Sequence, residues 1–252
     1  MDKVPLYPGE RVDDLIINNL RVIQHPDAFC FSIDSIVLAH FATVRTGATA
    51  VDLGAGTGVI GLLLVARGAG RVVGVEIDSA AAERAQRSVQ LNGLTKQMAV
   101  VAADLRRLKG VLPAGAWDLV VANPPYRPVG DGRISPREQV AAARHELTAS
   151  LADVVAAARY LVKYRGRFAM VHLPERLTEI INALSGAGLE PKRLRFVHPF
   201  VDKSPALVLV EAVRGARPGL EVMPPLIVYG PDGRYSPQIL EYYVRSGGEN
   251  LD

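Results

Sequence analysis

Asn123-Pro124-Pro125-Tyr126 is a stretch whose residue types could do chemistry together. It follows Trp117-Asp118-Leu119-Val120-Val121-Ala122, an apolar run of strand length. Two successive prolines fix two φ angles and remove two backbone donors, which leaves the carbonyls there turned outward. The Asn123 amide oxygen and the Pro124 carbonyl can then accept both hydrogens of one external NH2 group. Pro125 and the ring of Tyr126 offer a surface to the planar group that carries it. That is a cradle for a conjugated amine. The plainer alternative is a proline pair that only ends a strand, and the upstream pattern argues against it.

Upstream, Val51-Asp52-Leu53-Gly54-Ala55-Gly56-Thr57-Gly58 closes another apolar run and opens the helical stretch Val59-Ile60-Gly61-Leu62-Leu63-Leu64-Val65. A glycine-rich turn between strand and helix lets backbone approach a nucleoside without a Cβ in the way. The dinucleotide pattern Gly-x-Gly-x-x-Gly would need glycine where Val59 stands, and no Lys-Ser/Thr pair marks a phosphate loop. The ligand is therefore expected to lack a pyrophosphate. A second strand, Arg71 to Asp78, carries Glu76 and Ile77 at its end, where an acid accepts from ribose hydroxyls. A third, Met98 to Ala103, ends at Asp104-Leu105, where a carboxylate could take an adenine amine and a leucine could cover the ring. Each acid alone has a plainer role as a helix N-cap, which is the role expected of Asp78.

Together, Asp52-x-Gly54-x-Gly56-x-Gly58, Glu76, Asp104 and Asn123-Pro124-Pro125-Tyr126 resemble the class I S-adenosylmethionine-dependent methyltransferases, over about residues 30 to 215. The resemblance implies an α/β, Rossmann-like fold with a seven-stranded, mostly parallel sheet and helices on both faces. It also implies that strand seven runs antiparallel between strands five and six. The implied cofactor is S-adenosyl-L-methionine, leaving as S-adenosyl-L-homocysteine, with no metal. Its implied contacts are Asp34, Asp52, Gly54, Ala55, Gly56, Thr57, Gly58, Glu76, Ile77, Asp104, Leu105 and Asn123, and the implied catalytic set is Asn123, Pro124 and Tyr126. Within the superfamily the chain is similar to bacterial tRNA adenine 6-amino methyltransferases acting in the anticodon loop of a valine tRNA. Three further stretches carry that likeness: Phe31-Ser32-Ile33-Asp34-Ser35-Ile36-Val37-Leu38-Ala39, Ala143-Arg144-His145-Glu146, and Tyr229-Gly230-Pro231-Asp232-Gly233-Arg234-Tyr235-Ser236. RNA, as tRNA, is then the implied partner. Pro125, Tyr126, Arg133, Arg137, Arg144 and His145 are its expected contacts, with the tyrosine ring face rather than its hydroxyl doing the holding.

Three other readings stay open from the residues. A protein glutamine amide is a planar nitrogen too, but relatives of that kind carry a helical substrate domain before the core. DNA adenine methylation usually comes with an added recognition domain. A silent cofactor-dependent RNA-binding module would be expected to lose the Asn-Pro-Pro-Tyr sequence.

The chain has 252 residues, 49% hydrophobic and 22% charged, enough for one α/β domain. Its formal net charge of +3 is an ordinary value that mildly favours an anionic partner. Basic residues gather after the tyrosine (Arg127, Arg133, Arg137, Arg144) and again at Lys192, Arg193, Arg195 and Lys203, where phosphates are candidate partners. No run reaches the ~20 apolar residues of a membrane span, and Met1 to Leu6 do not read as a leader. The single Cys30 is expected in the core, which suits a reducing cytoplasm, and no Cys/His cluster offers a metal site. Whether the chain is a monomer or a homodimer stays open.

Those residues need elements to hold them. From position 49 strand and helix alternate, with strands near 49–53, 71–76, 98–102 and 117–122 and helices near 58–67 and 79–91, which demands a parallel sheet with right-handed crossovers. A helix is expected from Asp34 to His40, and another over 11–17. Residues 20–24 and 28–31 read as a hairpin, and 123–147, with prolines at 124, 125, 128 and 136, as a long functional loop. Leu151, Val154, Val155, Ala158, Leu161 and Val162 recur at helical spacing, as do Leu177, Ile180, Ile181 and Leu184. Strands near 167–172, 193–198 and 206–212 would complete the sheet, followed by an extra strand in 220–228 and a helix in 237–244. The expected division is an N-terminal extension (1–30), a methyltransferase domain (31–215) and a C-terminal extension (216–252) packed on it.

Overall fold

The computed structural model describes residues 4–15, 17–26, 30–126 and 149–243. Arg127, Arg133, Arg137, Arg144 and His145 lie outside them. Where the sequence suggests a helix over 11–17, the chain instead forms strand β1 (Arg11–Asp14), antiparallel to β2 (Arg21–Gln24). The turn decides this. Asn18 and Asn19 adopt φ of 52° and 56°, the two positive values a tight hairpin turn needs, and asparagine tolerates them better than most residues. Leu20 N–H closes the turn onto Ile17 O at 2.9 Å. The partner of 20–24 is therefore β1 and not 28–31. Cys30 is half-buried and absent from the core, because it lies in the link from this hairpin to the first helix.

That helix is α1 (Ile33–Phe41), followed by β3 (Thr49–Leu53), α2 (Val59–Ala66), β4 (Arg71–Glu76), α3 (Ser79–Leu91), β5 (Met98–Ala102) and β6 (Trp117–Ala122). After these come α4 (Leu151–Leu161), β7 (Val162–His172), α5 (Leu177–Gly186), β8 (Leu189–His198) and β9 (Leu207–Arg214). Two short strands, β10 (Glu221–Val222) and β11 (Leu226–Ile227), precede α6 (Pro237–Tyr243). Local chemistry sets several of these ends. Asp78 caps α3 by accepting from Ala80 and Ala81 N–H, and Ser150 with Asp153 forms a reciprocal capping box on α4.

The main sheet runs β10-β8-β9-β7-β6-β3-β4-β5, with β11 also on β8. β9, the seventh long strand, lies antiparallel between β7 and β8, while β3 to β7 pair in parallel. The two short strands extend the expected seven to nine. Alternation along each strand serves two cores. Leu119 and Val121 pack with the apolar faces of α1 and α2, and Val120 and Ala122 with those of α4 and α5. α6 is anchored by Ile239, which has no exposed surface, and by Tyr242 stacked on His40 at 4.2 Å. No helix among the described residues is long and apolar enough to cross a membrane.

Candidate active site

Parallel pairing brings the carboxyl ends of β3, β4, β5, β6 and β7 to one edge of the sheet. The strand order reverses between β3 and β6, and an open α/β sheet binds its ligand at such a switch point. Leu53 is in register with Ala122, so the glycine turn and Asn123 leave adjacent strands about 4.8 Å apart. Sequence positions 69 residues apart thus become neighbours.

The turn is built for a ligand lying close to backbone. Gly54 and Gly56 have φ of 72° and 53°, and a Cβ on either would point into open space. The Gly54 and Ala55 N–H groups donate to Val75 O at 2.8 and 3.0 Å, which ties the turn to β4. Gly58 serves packing instead, since a Cβ there would meet Ala85 at 3.3 Å. Ala55 and Thr57 are buried.

The acids part company. Glu76 is buried at the end of β4, and its two oxygens accept Gly56 N–H at 2.8 Å and Asp78 N–H at 2.9 Å. Each oxygen keeps a lone pair for a hydroxyl. Ile77 beside it is half-buried. Asp52 has no exposed surface and so touches no ligand directly in this conformation. The Gly61 N–H faces its carboxyl without closing a hydrogen bond of normal geometry, and neither oxygen has another donor. Burial, with Glu76 nearby, pushes Asp52 up to about 7. Asp104 caps the short turn Leu105–Arg107 through Arg106 N–H at 2.9 Å and is also forked onto the Arg106 guanidinium at 2.8–3.0 Å. Arg106 holds its carboxyl below the usual range. An adenine amine would have to share Asp104 with Arg106, a partner the sequence reading missed although a basic residue two positions past a cap is within easy reach.

Asn123, Pro124, Pro125 and Tyr126 follow β6 directly, with Pro124 buried and Pro125 exposed. The Tyr126 hydroxyl bonds Asp34 Oδ2 at 2.5 Å and Asn123 Oδ1 at 3.1 Å, and Asn123 Nδ2 lies 3.5 Å from Ser35 Oγ. Asp34 is therefore engaged with the tyrosine. Burial, then Asp34, raises the Tyr126 phenol well above its ordinary ionisation range. His172, at the end of β7, packs against the Tyr126 ring with centroids 5.4 Å apart. Its Nδ1 accepts Leu173 N–H at 2.7 Å. Burial, then Arg176, lowers its pKa to about 4, so the ring is neutral near pH 7. Sequence reasoning passed over His172, yet a lone polar residue ending the apolar run Phe168-Ala169-Met170-Val171 is a readable signal of the ligand edge.

The second basic cluster is largely committed within the fold. Arg193 lies over the Phe41 ring at 4.7 Å and bonds Thr43 Oγ1 and the buried Glu211, while Arg195 donates to Pro224 O and Lys192 to Arg217 O. Those three cannot serve as a ready row of phosphate contacts.

A sheet of this order, with a glycine turn, a buried acid and Asn-Pro-Pro-Tyr at the ends of neighbouring strands on one edge, has the arrangement of a methyltransferase. The chain belongs to the methyltransferase small domain family, whose model matches residues 19–172, and its methyl donor is S-adenosyl-L-methionine. It is 30% identical over 218 residues to the tRNA1(Val) (adenine(37)-N6)-methyltransferase of Tolumonas auensis, covering 84% of this chain and 89% of that one. It is 32% identical over 208 residues to the protein of the same name from Cronobacter sakazakii, covering 81% and 82%. Among solved structures, a predicted O-methyltransferase from Agrobacterium tumefaciens superposes with a TM-score of 0.67 at 24% identity, over 85% of this chain and 99% of that one. Geranyl diphosphate C-methyltransferase from Streptomyces coelicolor A3(2), crystallised with S-adenosyl-L-homocysteine, gives 0.56 at 15%, over 72% and 78%. At these identities the two structures share its fold.

Proposed function

We propose that this protein methylates the exocyclic 6-amino group of an adenine in RNA, and that the RNA is a tRNA read at its anticodon loop. The observation that carries the reading is Asn123-Pro124-Pro125-Tyr126 at the carboxyl end of β6, one strand from the glycine turn. The names of the relatives from Tolumonas and Cronobacter support it.

When bound, S-adenosyl-L-methionine supplies an electrophilic methyl group, and the protein contributes alignment and electrostatics. The Gly54–Gly58 turn and Glu76 would hold it, with Ile77, Asp104 and Leu105 around its base. An adenine 6-amino group is a poor nucleophile because its lone pair is delocalised into the ring. Asn123 Oδ1 and the Pro124 carbonyl would accept its two hydrogens and favour a pyramidal nitrogen. Tyr126 and Pro125 would flank the flipped base. Arg133, Arg137, Arg144 and His145 would meet the RNA backbone, His145 more as a phosphate contact than as a base. Residues 31–215 would form the catalytic domain, with 1–30 and 216–252 as extensions, in a cytoplasmic enzyme.

The test is incubation with methyl-labelled cofactor and, separately, total tRNA, ribosomal RNA, DNA and release factor. Label in tRNA, recovered as N6-methyladenosine, is the expected result. Label in release factor or DNA alone would replace this reading with a glutamine amide or DNA adenine acceptor.

A further inference from the structure

Four side chains from two elements meet at the cradle. Asp34 and Ser35 come from the first turn of α1, and Asn123 and Tyr126 from the segment after β6. The Tyr126 hydroxyl has one proton but faces two acceptors, the Asp34 carboxylate at 2.5 Å and Asn123 Oδ1 at 3.1 Å. One proton cannot serve both. The carboxylate is the stronger and nearer acceptor, so it takes the proton. The phenol stays protonated, being buried and next to that carboxylate. The contact at 3.1 Å then needs a donor from the asparagine. A half-turn of the Asn123 amide supplies one, because oxygen and nitrogen exchange places with no change in shape. Nδ2 donates to the phenol oxygen, and Oδ1 comes to face the Ser35 hydroxyl, which can donate to it. Every group in the chain Asp34–Tyr126–Asn123–Ser35 is then matched.

We infer that Asp34 is a positioning residue for methyl transfer: it orients the Tyr126 hydroxyl, and through it the Asn123 amide, so that Oδ1 keeps a lone pair for the target amine. His172 packs the Tyr126 ring and limits its movement. This assigns Asp34 to the tyrosine and not to the cofactor, and it makes the hydroxyl a working part where the sequence suggested that only the ring face matters. Without Asp34 the phenol O–H is free to donate to the asparagine instead, which turns the amide back and places that hydrogen bond on the Oδ1 lone pair that the amine needs.

The rate part of the test rests on the methyl-transfer reading above, and a second measurement is independent of it. Asp34→Asn, Tyr126→Phe and the double variant are compared at saturating cofactor in single-turnover transfer to the RNA that wild type labels. Each single variant is expected to slow transfer roughly tenfold or more, as for loss of one charge-assisted hydrogen bond, with the double no slower than the worse single. The apparent KM for RNA and the calorimetric affinity for S-adenosyl-L-methionine should stay within about twofold, a change too small to represent a lost hydrogen bond. A tenfold loss of cofactor affinity in Asp34→Asn with an unchanged rate would return Asp34 to the cofactor and overturn the inference. So would rate losses that multiply in the double variant. The same four proteins are melted without substrate, where non-additive losses of Tm support the bond and additive losses overturn it. Should wild type label no RNA, the function reading fails, while the melting cycle still decides the coupling.

Discussion

In the proposed reaction the Asn123 amide oxygen would gain most from a nitrogen that is becoming tetrahedral, because the amine hydrogens grow more acidic as the lone pair leaves the ring. Asn123→Ala leaves the glycine turn and Glu76 in place, so cofactor should still bind. Single-turnover transfer should fall by ~100-fold or more, as for loss of one oriented transition-state partner, and a wild-type rate would remove Asn123 from the mechanism. Tyr126→Ala should also raise the RNA concentration needed, since base stacking is worth ~1–3 kcal/mol. Glu76 is the contrasting residue. It holds Gly56 N–H and Asp78 N–H, and in the proposed site its carboxyl would also accept from the ribose hydroxyls. Glu76→Ala should weaken cofactor binding at least tenfold, each bond to a charged acceptor being worth ~1.5–3 kcal/mol. Unchanged affinity by calorimetry would mean that Glu76 only fastens the turn.

Among the elements, α3 is clamped by the N-terminal segment. Arg87, 4% exposed, bonds both oxygens of Glu10 at 2.6 Å and both of Glu83, reaches Pro5 O at 2.8 Å and lies under the Tyr7 ring. Arg87 lowers the Glu10 carboxyl to about 2 from an ordinary 4.5. A carboxylate whose pKa is depressed on folding contributes stability that is present above 4.5 and is lost as pH falls towards 2. Glu10→Gln should therefore flatten the stability profile between those values. At neutral pH it should cost up to about 3 kcal/mol, the low end for removing one partner of a buried pair, because Glu83 still holds Arg87. Urea midpoints measured from pH 2 to 7 check this, and a profile parallel to wild type would contradict it. The clamp matters to the site because Asp78, which caps α3, directly follows Glu76 and Ile77.

For the whole molecule the relevant quantity is where positive charge remains uncommitted. The net charge is only +3, and Arg193 and Arg195 are tied into the fold. RNA affinity is therefore expected to rest on the arginines after Tyr126. Neutralising Arg133, Arg137 and Arg144 together should weaken tRNA binding and flatten its dependence on salt. Each lost phosphate contact lowers the slope by ~0.7–0.9, while cofactor affinity stays the same. A triple variant with the wild-type salt slope would mark these arginines as solvated surface.

The residues from 49 to 122 determined their own elements, because buried parallel strands and the helices between them read as apolar runs separated by glycine and acid punctuation. The glycine turn, Glu76, Asp104 and Asn123-Pro124-Pro125-Tyr126 were legible for the same reason: each ends a strand, and parallel strands end on one edge. The hairpin turn at Asn18-Asn19 was not read, because the residues at 11–17 suggested a helix and the turn-like His25-Pro26-Asp27 drew the hairpin to the wrong place. What the linear pattern lacks is the partner of each polar group. Only tertiary packing put Asp34 on the Tyr126 hydroxyl 92 residues away, His172 against its ring, and Arg193 on Glu211. It also decided that Asp52 lies beneath the turn with no exposed surface. Periodicity shows which way a backbone segment faces, whereas a hydrogen bond between distant residues depends on how whole elements dock.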